Sequence, residues 1–233
     1  MIYVNDNLII KICFSCRKND QCIIDYIFIV WHKMKKELIK KIYVVLNIWR
    51  VLLAIIIVET LENNIKEKIH REIIYWGKLT RINSNNVYSV LTYLLLLGEQ
   101  SYRNLLYYRI GVESLIKKNI FKFFFPIMNT LFINVDDLGE CLYIQHGFAT
   151  VITANKIGDY CWINQQVTIG YKDGTGCPIR IGNGVRVACG AKVLGPICVG
   201  DNSTIGANAV VTKDVECNKI MGGGSGKSNW RKH

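Results

Sequence analysis

The sequence predicts an α+β chain in which an N-terminal helical region is followed by a C-terminal left-handed parallel β-helix of about four coils. Three observations predict it. Apolar residues recur at helical spacings through a first half almost free of glycine and proline, glycine becomes abundant only after residue 138, and from there aliphatic residues recur at every sixth position. Half of the 233 residues are apolar, enough to bury a substantial core, and nothing in the composition suggests disorder.

The helical region is assigned to residues 34–126. It is rich in Leu, Ile, Lys and Tyr, and helical spacing is sustained from Val87 to Ile110. Asn83-Ser84-Asn85-Asn86 offers side chains able to cap the free amides of a helix start. Gly111 offers a stop, and Pro126 closes the segment that ends in Phe123-Phe124-Phe125. One stretch, Tyr43 to Val58, is apolar enough to raise the question of a membrane span. Asn47 and Arg50 interrupt it and it falls short of about 20 residues, so a buried helix is expected and no stable span. Met34-Lys35-Lys36-Glu37-Leu38-Ile39-Lys40-Lys41 reads as a natural start of translation, which would make residues 1–33 an upstream extension.

The β-helix is assigned to residues 127–220. Ile157, Ile163 and Ile169 are spaced by six, and after an interruption Ile181, Val187, Val193, Val199, Ile205 and Val211 continue at the same interval. An α-helix cannot bury one face with this period, because six residues advance it by about 600°, roughly 240° past a full turn. A triangular coil of three short strands can. Each aliphatic then points inward, the Ile-Gly and Val-Gly pairs mark corners, and stacked coils of about 18 residues pair their backbones. The register breaks for the polar loop Tyr171 to Pro178, which a purely structural solenoid would not require. Residues 221–233, with their Gly-rich run, are expected to form a flexible tail; the run opens no helix and so is no phosphate loop.

Charge and cysteine usage exclude several classes. The net charge of +11 is concentrated in the first half: residues 1–120 hold 18 Lys and Arg against 10 Asp and Glu, whereas residues 131–220 hold 7 against 8. These cations are scattered through Ile-rich text and are not interleaved with aromatics in a stripe, so nucleic acid is not an expected partner. The nine cysteines are an odd number and no secretory leader is evident, which argues against a disulfide framework and for the reducing cytoplasm. Cys13 and Cys16 have metal-knuckle spacing, but no second pair completes a tetrahedral set, and no metal is expected.

Four segments in order carry a family resemblance. They are Tyr143-Ile144-Gln145-His146-Gly147, Ile163-Asn164-Gln165-Gln166-Val167-Thr168-Ile169-Gly170, Gly190-Ala191-Lys192-Val193-Leu194-Gly195-Pro196, and Ile205 to Val215. Residues 138–215 resemble the serine acetyltransferase branch of the hexapeptide-repeat acyltransferases. The segment Tyr102 to Gly111 resembles the helical lead-in of relatives near polysaccharide gene sets. The resemblance implies acetyl-CoA as co-substrate, a homotrimer with active sites between neighbouring subunits, and direct transfer without an acyl-enzyme. It makes His146 the catalytic base, and the chemistry suits an imidazole, which can take the proton of a weakly nucleophilic hydroxyl and return it to a departing thiolate.

Other assignments follow the same resemblance. Gln165 is assigned to the acceptor, and backbone amides near Ala188, Gly190, Ala191, Gly206 and Ala207, with Lys192 or Lys213, to the cofactor. The chain also departs from the family. Leu131 stands where an aspartate orients the histidine, leaving Asp136 or Asp137 to substitute, and Cys177 replaces a second histidine before Pro178. The resemblance makes L-serine the leading acceptor, as in cysteine biosynthesis. The alternatives are a sugar hydroxyl in surface polysaccharide assembly and a non-catalytic scaffold.

Overall fold

The computed structural model describes residues 20–171 and 178–222, with side chains from residue 29 onward. Residues 172–177 of the expected Tyr171–Pro178 loop, with Cys177, the Cys13–Cys16 pair and the tail beyond Gly222 lie outside the described residues. Among the described residues five helices come first: α1 (Asp20–Glu59), α2 (Asn63–Leu79), α3 (Val87–Leu96), α4 (Gln100–Glu113) and α5 (Leu115–Phe124). Twelve strands follow, and every pairing between them is parallel. They make a β-helix of about four coils, the fold expected from the six-residue period.

The chain divides into two compact units at Asn47/Ile48. In the first, the described part of α1 exposes Met34, Leu38, Ile42 and Val45. In the second, α1 buries only the stripe Val51, Ala54, Ile57 and Val58, while Leu52 and Ile56 stay exposed. The expectation of a short buried helix is thus corrected. The apolar segment belongs to a 40-residue helix, whose part Ile29–Glu59 holds an 18-residue window of mean hydropathy 2.2, 22% of it buried, and is by length and composition apolar enough to cross a membrane. Neither polar residue stops the helix. Asn47 Nδ2 donates back to the Tyr43 carbonyl at 2.8 Å, and Arg50 donates to the Phe124 carbonyl while its guanidinium lies over the Phe125 ring.

The stretch from Val87 to Ile110, expected to be continuous, breaks between α3 and α4 at Leu97-Gly98-Glu99. Gly98 is needed there, since a Cβ would lie 2.8 Å from the Leu94 Cα. Asn86 does cap α3, its side chain accepting from the Ser89 amide at 3.0 Å. Gly111 is not a stop. It lies inside α4, against the Lys118 side chain, and Ser114 starts α5 by accepting from the Lys117 amide at 3.3 Å.

Within the β-helix one face stacks β2 (Tyr143–Ile144), β4 (Trp162–Ile163), β7 (Arg186–Val187), β10 (Thr204–Ile205) and β12 (Ile220–Met221). The eight-residue β3 (Thr150–Ile157) turns a corner. Its start pairs with β5 (Thr168–Gly170), followed by β8 (Lys192–Leu194) and β11 (Val210–Val211), and its end with β6 (Arg180–Ile181), followed by β9 (Cys198–Val199). All nine aliphatics of the six-residue period point into the coil and none is more than 2% exposed. At one corner side chains take over where strands end, with Asn183 Oδ1 accepting from the Asp159 amide and Asp201 Oδ1 from the Asn183 amide.

A parallel coil leaves a raw edge at its start, and here α4 covers it. β1 (Leu131–Leu138) pairs with β3 on one side only. Along β1, Asn104 Nδ2 donates to the Leu131 carbonyl at 3.1 Å, the Tyr108 hydroxyl to that of Val135 at 2.7 Å, and Arg109 Nη1 to that of Leu138 at 2.9 Å. Asn104 and Tyr108, four apart on one helix face, thus meet carbonyls four apart on the strand, and Arg109 reaches one three residues further on, which is what the Tyr102–Gly111 lead-in does. Arg109 is further held by Glu72 of α2, Nη2 to Oε1 at 2.6 Å, with both side chains buried. Trp76, fully buried, donates its indole N–H to the Leu142 carbonyl at 2.8 Å and packs on Tyr102 and Tyr143, joining α2 and α4 to the first coil.

Candidate functional site

His146 follows β2 at the first corner of the coil, and this corner differs from those stacked on it. Ile144 pairs with Ile163 and Val151 with Thr168. Seven steps separate Ile144 from Val151, but five separate Ile163 from Thr168, and five separate Val187 from Lys192 on the next coil. The first coil therefore carries two extra residues at this corner. They are accommodated as a bulge with left-handed backbone at His146 (φ 65°), Gly147 (φ 55°) and Ala149 (φ 52°), closed by the Phe148 amide donating to the His146 carbonyl at 2.7 Å. A non-glycine residue pays in strain for such a conformation, so the corner has to be held by its surroundings.

What holds it is Glu99, at the break between α3 and α4. Glu99 Oε2 accepts the backbone amide of His146 at 2.7 Å, and Glu99 Oε1 lies 3.2 Å from His146 Nδ1. The Ser101 hydroxyl donates to the Ile144 carbonyl at 2.7 Å, tying the first turn of α4 to the same corner. The imidazole is half exposed and the Glu99 side chain one-third exposed, so Nδ1 faces the carboxylate and the other ring nitrogen is left for whatever approaches from solvent. Beside them Tyr143 is buried, and burial together with the Glu99 charge pushes its hydroxyl up to about 12.

The carboxylate beside His146 is thus not the one expected. Asp137 is register-paired with Lys156, whose Nζ it accepts at 2.7 Å, and Asp136 accepts from Asn155 Nδ2 at 2.9 Å. Both sit toward the far end of β1. Leu131, which lies under the bulge at 3.0 Å from where a Gly147 Cβ would stand, is six residues away from Asp137, about 20 Å along an extended strand. Glu99 was missed because it is 47 positions from His146 in sequence. The available signal was Gly98-Glu99 inside an otherwise helical stretch, a helix stop followed by a new start.

Gln165 stacks on the bulge from the second coil. The register Ile144, Ile163, Val187 and Ile205 runs on into the corner, where Asn164 Nδ2 donates to Gln145 Oε1 at 3.1 Å and the Gly190 amide to the Gln165 carbonyl at 3.0 Å. Among the described residues Gln165 Oε1 is a buried oxygen without a hydrogen-bond partner. An orphaned acceptor on the coil that follows the His146 corner suits a ligand that brings an N–H or O–H, such as a pantetheine amide or the ammonium of an amino acid.

The amides expected to meet a cofactor are in use elsewhere. Those of Ala188 and Gly206 donate to the carbonyls of Ile205 and Met221, that of Gly190 to Gln165, and that of Ala191 to Ala188. A parallel coil consumes its own backbone donors, so a ligand along this edge would meet the small residues Ala188, Gly190 and Ala207, with Ala191 turned into the core, and no free amide from Ala188, Gly190, Ala191 or Gly206. Lys192 Nζ is likewise engaged, donating to the Gln166 carbonyl at 2.7 Å and Thr168 Oγ1 at 3.0 Å, while Lys213 is exposed. Cys141, five residues before His146 in sequence, and Cys161 are buried, and burial pushes their thiols up to about 11 and about 12, the wrong direction for a nucleophile.

Residues 178–213 match the family model described as bacterial transferase hexapeptide (six repeats). The chain is 42% identical over 100 residues to a serine acetyltransferase of Synechococcus elongatus, covering 40% of each chain. It is 43% identical over 97 residues to one of Helicobacter pylori, covering 39% of this chain and 55% of that one. The chain thus spans about half the length, or less, of these relatives. Among solved structures it is similar to a Neisseria gonorrhoeae serine acetyltransferase, with a TM-score of 0.55 and 22% identity over 72% of this chain and 68% of that one. It is also similar to a soybean serine acetyltransferase complexed with serine, with a TM-score of 0.55 and 18% identity over 72% and 70% of the two chains. The structural likeness shows the fold.

Proposed function

We propose that this chain is a serine O-acetyltransferase that moves the acetyl group of acetyl-CoA to the hydroxyl of L-serine, with His146 as general base. The observation that carries the reading is a half-exposed histidine on an inserted corner, its Nδ1 against a carboxylate, in a coil similar in sequence to serine acetyltransferases. Acetyl-CoA supplies an activated acyl group and a thiolate leaving group. The chain supplies the proton chemistry: Nε2 takes the hydroxyl proton as the oxygen attacks the thioester carbon, and the resulting imidazolium, facing the Glu99 carboxylate, returns the proton to the departing sulfur. Gln165 Oε1 serves as the acceptor of a ligand N–H. The engaged amides move cofactor recognition to the small side chains of the later corners and to Lys213.

Assembly as a trimer in the cytoplasm belongs to the same proposal. Phe132 and Val151, neighbours across β1 and β3, and Phe148 on the bulge are exposed large apolar residues on this side of the coil, a surface suited to a second subunit. The test is thiol release from acetyl-CoA with wild type and His146→Ala, against L-serine and a panel of sugars. Release with serine, lost in the variant, is the expected result. Release only with a sugar would move the acceptor to the polysaccharide class, and no release from a folded protein would leave the coil as a scaffold.

A further inference from the structure

We propose that Glu99 is the positioning residue for His146, a clamp by which the helical region sets both the ring tautomer and the backbone conformation of the base. The proposal rests on the reading of His146 as general base. Three observations carry it. The two carboxylate oxygens are divided between the two parts of one residue, Oε2 on the His146 amide at 2.7 Å and Oε1 at 3.2 Å from Nδ1. The residue so gripped has φ 65°, in a two-residue insertion tied to the next coil by the Gln166 amide donating to the Phe148 carbonyl at 3.0 Å, which leaves the His146 amide to Glu99. Finally, Glu99 occupies the N-cap position of α4, yet its side chain caps none of that helix's amides and turns to the coil instead.

The chemistry follows from which nitrogen the carboxylate faces. A carboxylate accepts and cannot donate, so it selects the tautomer with a proton on Nδ1 and leaves the lone pair on Nε2, where a hydroxyl proton can be received. When Nε2 takes that proton the ring becomes cationic against the same carboxylate, which stabilises it without itself being protonated. Ser101, bonded to the Ile144 carbonyl from the first turn of α4, and Gly98, which makes the sharp break, keep Glu99 at the corner. The positioning residue thus comes from helices that precede the coil in sequence, and chemistry at the corner depends on α4 staying docked.

The experiment uses the full chain with 15N-labelled histidine, as wild type, Glu99→Gln and Glu99→Ala, with His146→Asn to identify the His146 signals among the four histidines. Two-bond 1H–15N spectra read the tautomer without any acceptor or acetyl-CoA. Expected is an Nδ1-protonated ring in wild type and a shift toward the Nε2-protonated form in Glu99→Ala. In the thiol-release assay kcat should fall by roughly 10²-fold while both KM values change less than about twofold. Glu99→Gln keeps the size and one accepting oxygen, so it should lie between the two in both readouts and guards against a folding defect in the alanine variant. An unchanged tautomer across the series overturns the proposal. So does a raised KM for the acceptor at constant kcat, which would make Glu99 an acceptor contact. Should no acceptor be turned over at all, the functional reading fails while the tautomer shift still decides the clamp.

Discussion

Replacing Arg109 with methionine removes the most heavily used side chain between the helices and the coil. Its guanidinium donates to both oxygens of Glu72 from Nε at 3.2 and 3.3 Å, again from Nη2 at 2.6 Å, and to the carbonyls of Leu138 and Gly139. Both side chains are 5% exposed or less, so water cannot replace what is lost. Removing one partner of a buried ion pair costs about 3–5 kcal/mol, because the other charge stays buried. At roughly 2–4 °C per kcal/mol for a chain of this size, Tm should drop by about 6–20 °C. The pH dependence is the sharper signature. Burial raises the Glu72 carboxyl above its ordinary range, and Arg109, Lys68 and the Cys141 amide oppose that rise. Without Arg109 the carboxyl rises further. A carboxyl whose folded value lies above its unfolded one favours the folded state at low pH and loses that contribution as pH climbs through the folded value. The difference between wild type and variant, measured by urea unfolding, should therefore be larger near about pH 8 than near about pH 5. Glu72→Gln/Arg109→Met should recover part of it. A loss below about 1 kcal/mol, the level of a surface pair, or an equal loss at both pH values would refute the reasoning.

Three further outcomes are expected. Gln165→Leu replaces an orphaned acceptor with an apolar group of similar length, so the urea midpoint should hold or rise while KM for serine or acetyl-CoA increases about tenfold, or 1.4 kcal/mol; unchanged KM values would remove Gln165 from the site. Gly190→Ala places a Cβ 2.0 Å from Asn208 Oδ1 at φ 73° and should cost at least about 1–2 kcal/mol in the same assay, and a neutral variant would show that this corner is softer than its geometry. Mass mapping after brief alkylation near neutral pH should find Cys198 and Cys217, which are exposed, modified before Cys141 and Cys161, whose buried thiols resist ionisation; the reverse order would contradict that burial.

The parts of the fold legible in the sequence are those expressed at short range. Ile181, Val187 and Val193 are six apart because each coil turns a corner every six residues, and that rule holds wherever it is sampled. The cap at Asn86 is equally local, one side chain bonding an amide three residues on. Gly111 misled because a glycine inside a helix and one that ends it look alike until the packing against Lys118 is known. The length of α1 misled for a related reason, since Asn47 and Arg50 break an apolar run in composition while their side chains satisfy themselves along the helix or against Phe124.

The candidate site shows the same division. His146 could be picked out from the segment around it, and Gln165 from the segment that stacks above. Asp137 could not be ruled out from its position, nor Glu99 found, because which carboxylate reaches the ring depends on how α4 lies against β1. The amides of Ala188 and Gly190 appeared available in sequence for a similar reason, since an amide's partner in a parallel coil is on the neighbouring turn. By itself, then, the sequence determined the period, the inward aliphatics, the helical region before the coil and the histidine at its first corner, since each is written in neighbouring residues. Only the tertiary structure decided that Glu99 grips this histidine, that two inserted residues lift it from the stack, and that Asp137 belongs to Lys156. Those contacts join positions 47 or 19 residues apart, and their geometry is set by packing between elements, which no local pattern records.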